Sequence, residues 1–527
     1  MNYDSFARRA LSRRRFIEAG AIMGGLAVCS PALAASRSAG SPKRGGTLTW
    51  GDAQLAPNLA PFGAVSTATV VATTFLYDSL LTWDRNLNLQ PALAESYHIP
   101  DPLTYVFNLR KGVKFHSGKE FDAQDVVYSL GLQKAPPPPG VVNGYYPAIA
   151  RVEAVDKYTV KFHMSKPDAT LLTYLAWGWY SQIVPNGLYQ RLDVRSQADG
   201  TGPFQLESYV PNDHLTLVAN PQSWRPIPYL DKLIIKLLPD LESRVSALRS
   251  GQIDGAPIDA DSARILQSAH NLQVQKGLTA AFREIELTIH GDGKPWDDVR
   301  VRQAVNHAIN RQDIIDKVYA GNGLYTSQIP AGYGSWPISQ QLLKGQYEKF
   351  DVATAQSLMA KAGYAKGFDV TLQSIAAPAD YTQVAQVVAA QLAAIKINVT
   401  VQPLEIGIFA TNVGSGNFDW ASTGRGMRGD PSGYMADFRP GSSITKAWFQ
   451  GGFNNTQLNN LLSQGLSTTD INKRHQLYTA MQDIVLTQWP ELPLVNPMMY
   501  QAVSSRVQGA YLSFDSTLTG LKGTWLK

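Results

Sequence analysis

The segment STGRGMRGDPSGY, residues 422–434, places charged side chains where the backbone is most permissive. Arg425, Arg428 and Asp430 lie there among four glycines. Glycine adopts positive φ easily and lets a ligand approach the backbone closely, so arginines between glycines can present guanidinium groups to a bound molecule. The alternative is an exposed loop with solvated charges.

Motifs that would indicate catalysis or metal binding are missing from the chain. The sequence contains no G-x-S-x-G, no H-E-x-x-H and no G-x-x-x-x-G-K-[ST] pattern. The eight histidines are scattered singly rather than at metal-ligand spacing. We therefore predict no catalytic residues, no metal site and no cofactor.

The first 35 residues have the pattern of an export signal. Ser12-Arg13-Arg14-Arg15-Phe16-Ile17 precedes a short apolar stretch at 19–28 and then Ala32-Leu33-Ala34. Paired arginines, a weak apolar region and a small-residue cleavage motif are typical of twin-arginine export, with general secretion as the alternative. We predict cleavage at about Ala34 and a periplasmic protein. The single cysteine, Cys29, lies in this leader, and the valine before it disfavours lipid anchoring.

The composition is that of a multi-unit globular protein. The chain has 527 residues, of which 44% are hydrophobic and 17% charged, and a formal charge of +5. This length predicts two to four compact units. The leader holds five arginines against Asp4 and Glu18, so the remainder is nearly neutral. That balance predicts binding neither to nucleic acid nor to a membrane surface.

Periodicity indicates several secondary structure elements. Residues 104–109 should form a strand, and the turn at Lys111-Gly112 predicts a hairpin with a short strand at 113–115. Asp122 and Asp125 are spaced to cap a helix, and an amphipathic helix should follow Asp298. A helix at 353–362, a strand at 368–372, a helix at 380–394 and a strand at 397–401 predict a parallel β-α-β unit.

Four segments together resemble the family 5 extracellular solute-binding proteins, which deliver peptides, nickel chelates and related solutes to ABC importers. The first is YVFNLRKGVKFHSG at 105–118 with its continuation to 126. The others are GTGPF at 200–204 with 215–224 and 247–254, DVRVRQA at 298–304 with 308–311, and 454–494. Their order spans most of the chain.

The resemblance implies an α/β fold of two lobes, periplasmic-binding-protein-like (type II), with solute enclosed as the lobes close about a hinge. In this sequence it implies lobe I at 36–277, with an extra subdomain near 83–200, lobe II at 278–492, and a return to lobe I at 493–527. The strand 282–289 and the segment 492–497 are the expected hinge crossings.

The sequence departs from the peptide-binding members in the arginine segment. Those members have a tryptophan soon after a glycine and then an aspartate that holds the ligand's α-ammonium group. Here Arg425 follows Gly424, and Met427 or Arg428 occupies the acidic position, while Asp430-Pro431 matches the family. Cations would repel an ammonium group, and an unpaired desolvated charge costs several kcal/mol.

We therefore expect Arg425 and Arg428, with Gly424 and Asp430, to bind an anionic or polyhydroxylated solute. Candidates are an acidic peptide, a sugar-phosphate, an opine-like conjugate or a metal-chelating carboxylate, because the guanidinium fork matches carboxylate and phosphate. Alternatively, one arginine pairs with Asp430 or Asp437 and is structural.

Two further segments could complete the site. Trp177, Trp179 and Tyr180 could stack on a solute, with core packing as the alternative. Asn58 and Ser66, in the loop at 54–68, could donate hydrogen bonds.

These observations predict a monomeric periplasmic receptor that captures a small solute and passes it to the permease subunits of an ABC importer. The alternatives are a secreted periplasmic hydrolase and a chaperone-like binding protein, which would return altered substrate or bind unfolded chains weakly.

Overall fold

The computed structural model describes residues 41–62, 67–133, 146–376, 378–442, 444–450 and 452–527. Within this part of the chain, Pro42–Lys527 form one compact unit. The predicted export signal and its cleavage site lie outside the described residues. No helix in the described ranges is both long enough and apolar enough to cross a membrane.

Strands and helices alternate through most of the chain. The strands are β1 Thr47–Asp52, β2 Leu81–Trp83, β3 Leu89–Pro91, β4 Ala94–Asp101, β5 Thr104–Leu109, β6 Ile149–Asp156, β7 Thr159–Met164, β8 Phe204–Val210, β9 His214–Ala219, β10 Lys232–Leu237, β11 Gly255–Ile258, β12 Leu272–Leu278, β13 Phe282–Leu287, β14 Gly323–Leu324, β15 Phe368–Ile375, β16 Ile397–Leu404, β17 Trp420–Arg425, β18 Glu491–Ser504, β19 Val507–Gln508 and β20 Trp525–Leu526.

The helices are α1 Thr67–Leu76, α2 Ala123–Gly131, α3 Leu171–Ala176, α4 Leu188–Arg191, α5 Leu241–Ser250, α6 Ala260–Leu266, α7 Val299–Ala308, α8 Arg311–Tyr319, α9 Gln340–Leu342, α10 Val352–Lys361, α11 Asp380–Leu392, α12 Ile406–Ser415, α13 Ser432–Met435, α14 Thr456–Ser467 and α15 Ile471–Gln488. Short 3-10 turns cover Pro295–Asp297, Ala393–Ile395, Ala436–Phe438 and Thr519–Leu521. Single π turns cover Leu343–Tyr347 and Thr445–Phe449.

One long strand joins two halves of the main sheet, whose order is β16-β15-β17-β13-β18-β11-β1-β10-β9-β8. The start of β18 pairs with β13, where Glu286 lies opposite Glu491. The end of β18 pairs with β11 and β12. We call the half that contains β1 and β8–β11 the first lobe, and the half that contains β13 and β15–β17 the second lobe. The predicted boundaries at residues 277 and 492 remain predictions.

Separate hydrophobic cores support these parts. Trp50, Phe204 and Leu233 lie in the core of the first lobe. Trp296 and Trp420 lie in that of the second. A four-stranded sheet of order β4-β5-β7-β6 packs on α2 and α3 through a third core. The four-stranded sheet is therefore a unit with its own apolar interior.

Several local predictions are confirmed. Asp122 and Asp125 form a reciprocal capping box at the start of α2. Asp298 caps α7, whose predicted apolar face is buried. β15, α11 and β16 form the predicted parallel β-α-β unit, in register from Phe368↔Ile397 to Ile375↔Leu404.

The predicted hairpin at 104–115 is wrong in its pairing. β5 is a strand, but it pairs with β4 on one side and β7 on the other. Gly112, at φ 72°, turns the chain away. Residues 113–121 then form a tight loop of their own, in which Phe115 N–H donates to the Lys119 carbonyl at 2.8 Å. Burial of Val113 and Phe115 in the core beneath the four-stranded sheet stabilises this arrangement.

Candidate functional site

The arginine segment begins where β17 leaves the second lobe. β17 ends at Arg425, which pairs with Phe282 at the start of β13. Residues 426–431 form the following loop, which we call the arginine loop, and α13 begins at Ser432. The short connection from β12 to β13 ends at Phe282, beside Arg425. The arginine loop therefore lies beside this connection between the lobes.

Arg425 does not face a solute. Its Nε donates to Glu284 at 2.8 Å, and its Nη1 contacts Asp437 at 2.8 Å and the Tyr434 carbonyl at 3.4 Å. Its Nη2 donates to Glu286 at 2.9 Å and also to Glu491. Each nitrogen of the guanidinium therefore has an acceptor or a carboxylate of the protein beside it. This geometry contradicts the expectation of solute contact and supports the structural alternative, in which Arg425 pairs with Asp437.

Electrostatics explain the stability of this arrangement. Burial alone would lower the pKa of Arg425, but Glu284, Glu491, Glu286 and Asp437 raise it well above its ordinary value. The guanidinium therefore stays charged and offsets part of the negative charge around it. Arg425 is an anchor that ties the end of β17 to β13 and β18.

Arg428 is placed differently. Its backbone is fixed, because its N–H donates to the Tyr434 hydroxyl at 3.1 Å and its carbonyl accepts from the Tyr333 hydroxyl at 3.0 Å. Its side chain is half-buried. Within the described residues its guanidinium has no carboxylate within 4.0 Å and no hydrogen bond. The backbone thus holds a cationic group whose donors have no acceptor in the part of the chain that the structure describes.

Asp430 is a structural acceptor rather than an open site residue. It is buried and accepts from Arg474 Nη2 at 2.7 Å and from Ser432 N–H at 2.9 Å. Its other oxygen accepts from the Thr173 hydroxyl, before the aromatic segment, at 3.2 Å. Asp430 therefore links the arginine loop to α15 and α3, which corrects the expectation that it contacts solute.

The aromatic residues pack against the arginine loop. Trp177 and Trp179 stack with ring centroids 5.6 Å apart and planes at 26°, and Tyr180 meets Trp177 edge-on at 5.6 Å. With Val70, Ala280 and Met427 they form an apolar cluster. Trp177 and Tyr180 are buried, as in core packing, whereas Trp179 is half-buried. The Trp179 indole N–H has no hydrogen-bond partner among the described residues.

Gly424 and Asn58 are occupied by contacts within the protein. Gly424 lies inside β17, where an added Cβ would be 2.7 Å from the Phe282 carbonyl and 3.1 Å from the Tyr381 hydroxyl. The close approach at Gly424 is thus to protein. Asn58 accepts from the Ala60 N–H at 3.1 Å in its own turn, and no hydrogen bond in the described ranges joins it to the arginine loop. Ser66 lies outside the described residues.

Sequence reasoning missed the three glutamates around Arg425. Glu284, Glu286 and Glu491 are buried, and each has an oxygen within 4.8 Å of one of the others. They are the one such group of acidic or histidine side chains in the described ranges. Arg425 occupies one oxygen of each, which makes the group an ion network rather than an open metal site. The available signal was Glu-x-Glu in a strand, which puts both carboxylates on one face.

Fold and site together define a class. A two-lobed α/β protein with the arginine loop beside the connection between the lobes has the organisation of a solute receptor. The chain matches the bacterial extracellular solute-binding proteins, family 5, over residues 88–446. It belongs to that family.

Similar proteins support both fold and family. Heme-binding protein A of Haemophilus influenzae is 29% identical over 495 residues, which cover 85% of this chain and 88% of the relative. The periplasmic binding protein DppA of Helicobacter pylori, in complex with peptide STSA, is 26% identical at a TM-score of 0.78 and covers 92% of this chain and 98% of DppA. AgaA of A. tumefaciens R10, in complex with agropinic acid, is 26% identical at a TM-score of 0.78, with 92% and 99% covered. The predicted fold class and the family resemblance are confirmed.

Proposed function

We propose that this protein is the periplasmic receptor of an ABC importer and that it captures a small solute carrying a carboxylate or phosphate group, which Arg428 binds. The observation that carries the proposal is the guanidinium of Arg428, which has no partner among the described residues and is held by a backbone that two tyrosines fix. A preorganised arginine is suited to paired hydrogen bonds with such anions.

Three buried arginines of the second lobe lie beside carboxyl groups of the protein. Arg283 pairs with Asp380 at 2.7 Å, Arg311 with Glu348 at 3.3 Å and Arg474 with Asp430 at 2.7 Å. Each has its carboxylate within the protein. A solute anion is the partner that Arg428 would otherwise lack.

The chemistry of the loop disfavours a free ammonium group at the same place. The position where peptide-binding members carry an aspartate holds Met427 or Arg428. Met427 packs in the aromatic cluster and supplies no charge. A thioether and a guanidinium would leave a desolvated ammonium group unpaired.

Trp179 completes the proposed recognition. Its half-buried ring can cover an apolar or sugar portion of the solute. Agropinic acid, the solute named for AgaA, and the heme named for heme-binding protein A both carry carboxylates. An opine-like conjugate is therefore a suitable first probe.

Export and delivery follow from family membership as part of the proposal. The arginine-rich leader at 1–35 would direct export and be removed near Ala34, and the permease subunits of an importer would receive the solute. The receptor would act as a monomer.

A thermal-shift screen tests the proposal. The probes are agropinic acid, a sugar-phosphate, a nickel–histidine chelate, the peptide STSA and its amidated form. A specific ligand at 100 times its Kd stabilises the folded protein by about 2.7 kcal/mol. We expect agropinic acid and the sugar-phosphate to raise the melting temperature and to be recovered unchanged. Stabilisation by the amidated peptide alone would contradict the proposal, and chemical alteration of a probe would indicate the hydrolase alternative.

A further inference from the structure

In the described part of the chain, each of the three glutamates around Arg425 has a hydrogen-bond donor for only one of its two carboxylate oxygens. Oε1 of Glu284, Oε1 of Glu286 and Oε2 of Glu491 each accept a hydrogen bond from the guanidinium. The second oxygens, Glu284 Oε2, Glu286 Oε2 and Glu491 Oε1, are buried and have no donor among the described residues. Three buried acceptors without donors require an explanation, and shared protons would supply the missing hydrogens.

The elements around Arg425 bring more carboxylates than cations to the cluster. β13 contributes Glu284 and Glu286, β18 contributes Glu491, and the turn at Ala436–Phe438 contributes Asp437. β17 supplies the single cation, Arg425, and a weak donor, the Thr423 hydroxyl at 3.4 Å from Glu284. α13 presents only the carbonyl of Tyr434 to the guanidinium. Four carboxylates thus face one guanidinium, and buried carboxyl groups in this situation neutralise by binding protons.

The position of the cluster gives this proton a role. Glu286 and Glu491 lie opposite each other on β13 and β18, and β18 is the strand shared by both lobes. Arg425 is the last residue of β17 and leads directly into the arginine loop. The cluster therefore holds the loop that carries Arg428 against the strands that join the lobes.

We propose that docking of the arginine loop onto β13 and β18 takes up a proton that the buried glutamates then share, so that rising pH loosens the loop. The coupling between proton uptake and docking of the loop is inferred from the glutamates around Arg425 alone. Its consequence for solute capture, namely weaker retention at higher pH, rests on the proposed function of Arg428.

The direction of the effect follows from burial and from repulsion between the carboxylates. Burial, followed by repulsion from Glu284, raises the pKa of Glu286 well above its ordinary value. Burial raises the pKa of Glu491 to about 8, although Arg425 opposes this shift. A group protonated when docked and ionised when undocked makes the opening equilibrium constant rise about tenfold per pH unit, from about pH 5 up to the docked pKa.

Infrared spectroscopy tests the proton directly. We expect the wild-type protein at pH 7 to show the C=O stretch of a buried protonated carboxyl group, and Glu286→Gln or Glu491→Gln to reduce that band. Glutamine has the shape of a protonated glutamate, so these variants should fold. Glu207→Gln, which removes an exposed carboxyl of the first lobe, is the matched control and should leave the band unchanged.

Hydrogen exchange tests the linkage to the loop. After correction for intrinsic rates, the amides of residues 426–430 should open about tenfold more per pH unit between about pH 5 and 8 in the wild type. The Glu491→Gln variant should lose most of this slope, and the Glu207→Gln variant should keep it. Equal slopes in wild type and Glu491→Gln, or a carboxyl band that neither Glu286→Gln nor Glu491→Gln reduces, would overturn the proposal. So would stoichiometric Ca²⁺ in the purified protein without the band, because a cation would then neutralise the cluster. None of these readouts uses a solute, so failure of the solute screen would leave them intact.

Discussion

Trp177 packs directly on Gly429, so closely that a Cβ added at Gly429 would lie 2.8 Å from Cε3 of the indole. The tryptophan follows α3, and the glycine belongs to the arginine loop. The contact joins an element packed on the four-stranded sheet to the second lobe. Only a residue without a side chain allows this approach, because real Cβ atoms require more room.

Replacement of this glycine should separate the two surfaces. We predict that Gly429→Ala displaces Trp177 and lowers affinity for any solute bound beside Arg428, whereas Gly426→Ala, whose added Cβ meets nothing within 4 Å, has little effect. Tryptophan fluorescence and calorimetric binding to agropinic acid would measure both. Equal behaviour of the two variants would show that the packing of Trp177 on Gly429 is dispensable.

The two arginines of the segment should differ sharply in stability. Arg425→Ala leaves buried carboxylates without their cation and should cost about 3–5 kcal/mol of unfolding free energy. Arg428→Ala removes no ion pair of the described residues and should stay within about 0.5 kcal/mol. Urea denaturation at neutral pH measures both. Similar losses would mean that Arg428 also has a structural partner.

The hydrogen bond between Thr173 and Asp430 should contribute modestly. Thr173→Val removes a hydroxyl that lies 2.7 Å from the Thr170 carbonyl and 3.2 Å from Asp430. Asp430 keeps Arg474 and the Ser432 N–H. We expect a loss of about 0.5–1.5 kcal/mol. Thr479→Val, which removes an exposed hydroxyl bonded to a carbonyl of its own helix, is the control and should have less effect in the same denaturation assay.

A second buried acid should make stability depend on pH. Burial raises the pKa of Glu348 to about 8, and Arg311 opposes the shift only in part. Since this pKa is above the unfolded value, the contribution to stability is complete below about pH 4.5 and is lost as pH rises through about 8.

Glu348→Gln should therefore flatten the curve of unfolding free energy against pH. Between about pH 4.5 and 8, titration of Glu348 should make the unfolding free energy of the wild type fall by about 1.4 kcal/mol per pH unit. The variant should lack this contribution. Urea denaturation at several pH values measures the slope, with Glu207→Gln as the control. An unchanged slope would show that Glu348 is ionised in the folded protein.

The sequence predicted correctly those features that depend on residues close to one another in the chain. The cap at Asp122, the helix after Asp298 and the β-α-β unit depend on residues a few positions apart, and each is present. The pairing of β5 depends on β7, more than 50 residues away, and was missed. The turn close to β5 in sequence favoured a hairpin. Local sequence carries no information about pairing with a strand as distant as β7.

The arginine segment shows the same limit. Sequence identified the concentration of charge but could not separate Arg425 from Arg428, because the acceptors of Arg425 lie on β13 and β18. Asp430 was similarly assigned to solute because Arg474 and Thr173 are distant in sequence. Residue type indicated which chemistry was possible, and only tertiary contacts showed which groups were already satisfied.

Calorimetric titration with a carboxylate-bearing probe and its amide tests the central claim most directly. The proteins are the wild type, Arg428→Ala and the control Arg439→Ala, which removes an exposed arginine from the same lobe. Loss of a charged hydrogen bond should weaken binding of the acid about 10–100-fold in Arg428→Ala only, with little change for the amide. If Arg428→Ala keeps the wild-type preference for the acid, Arg428 does not select the solute.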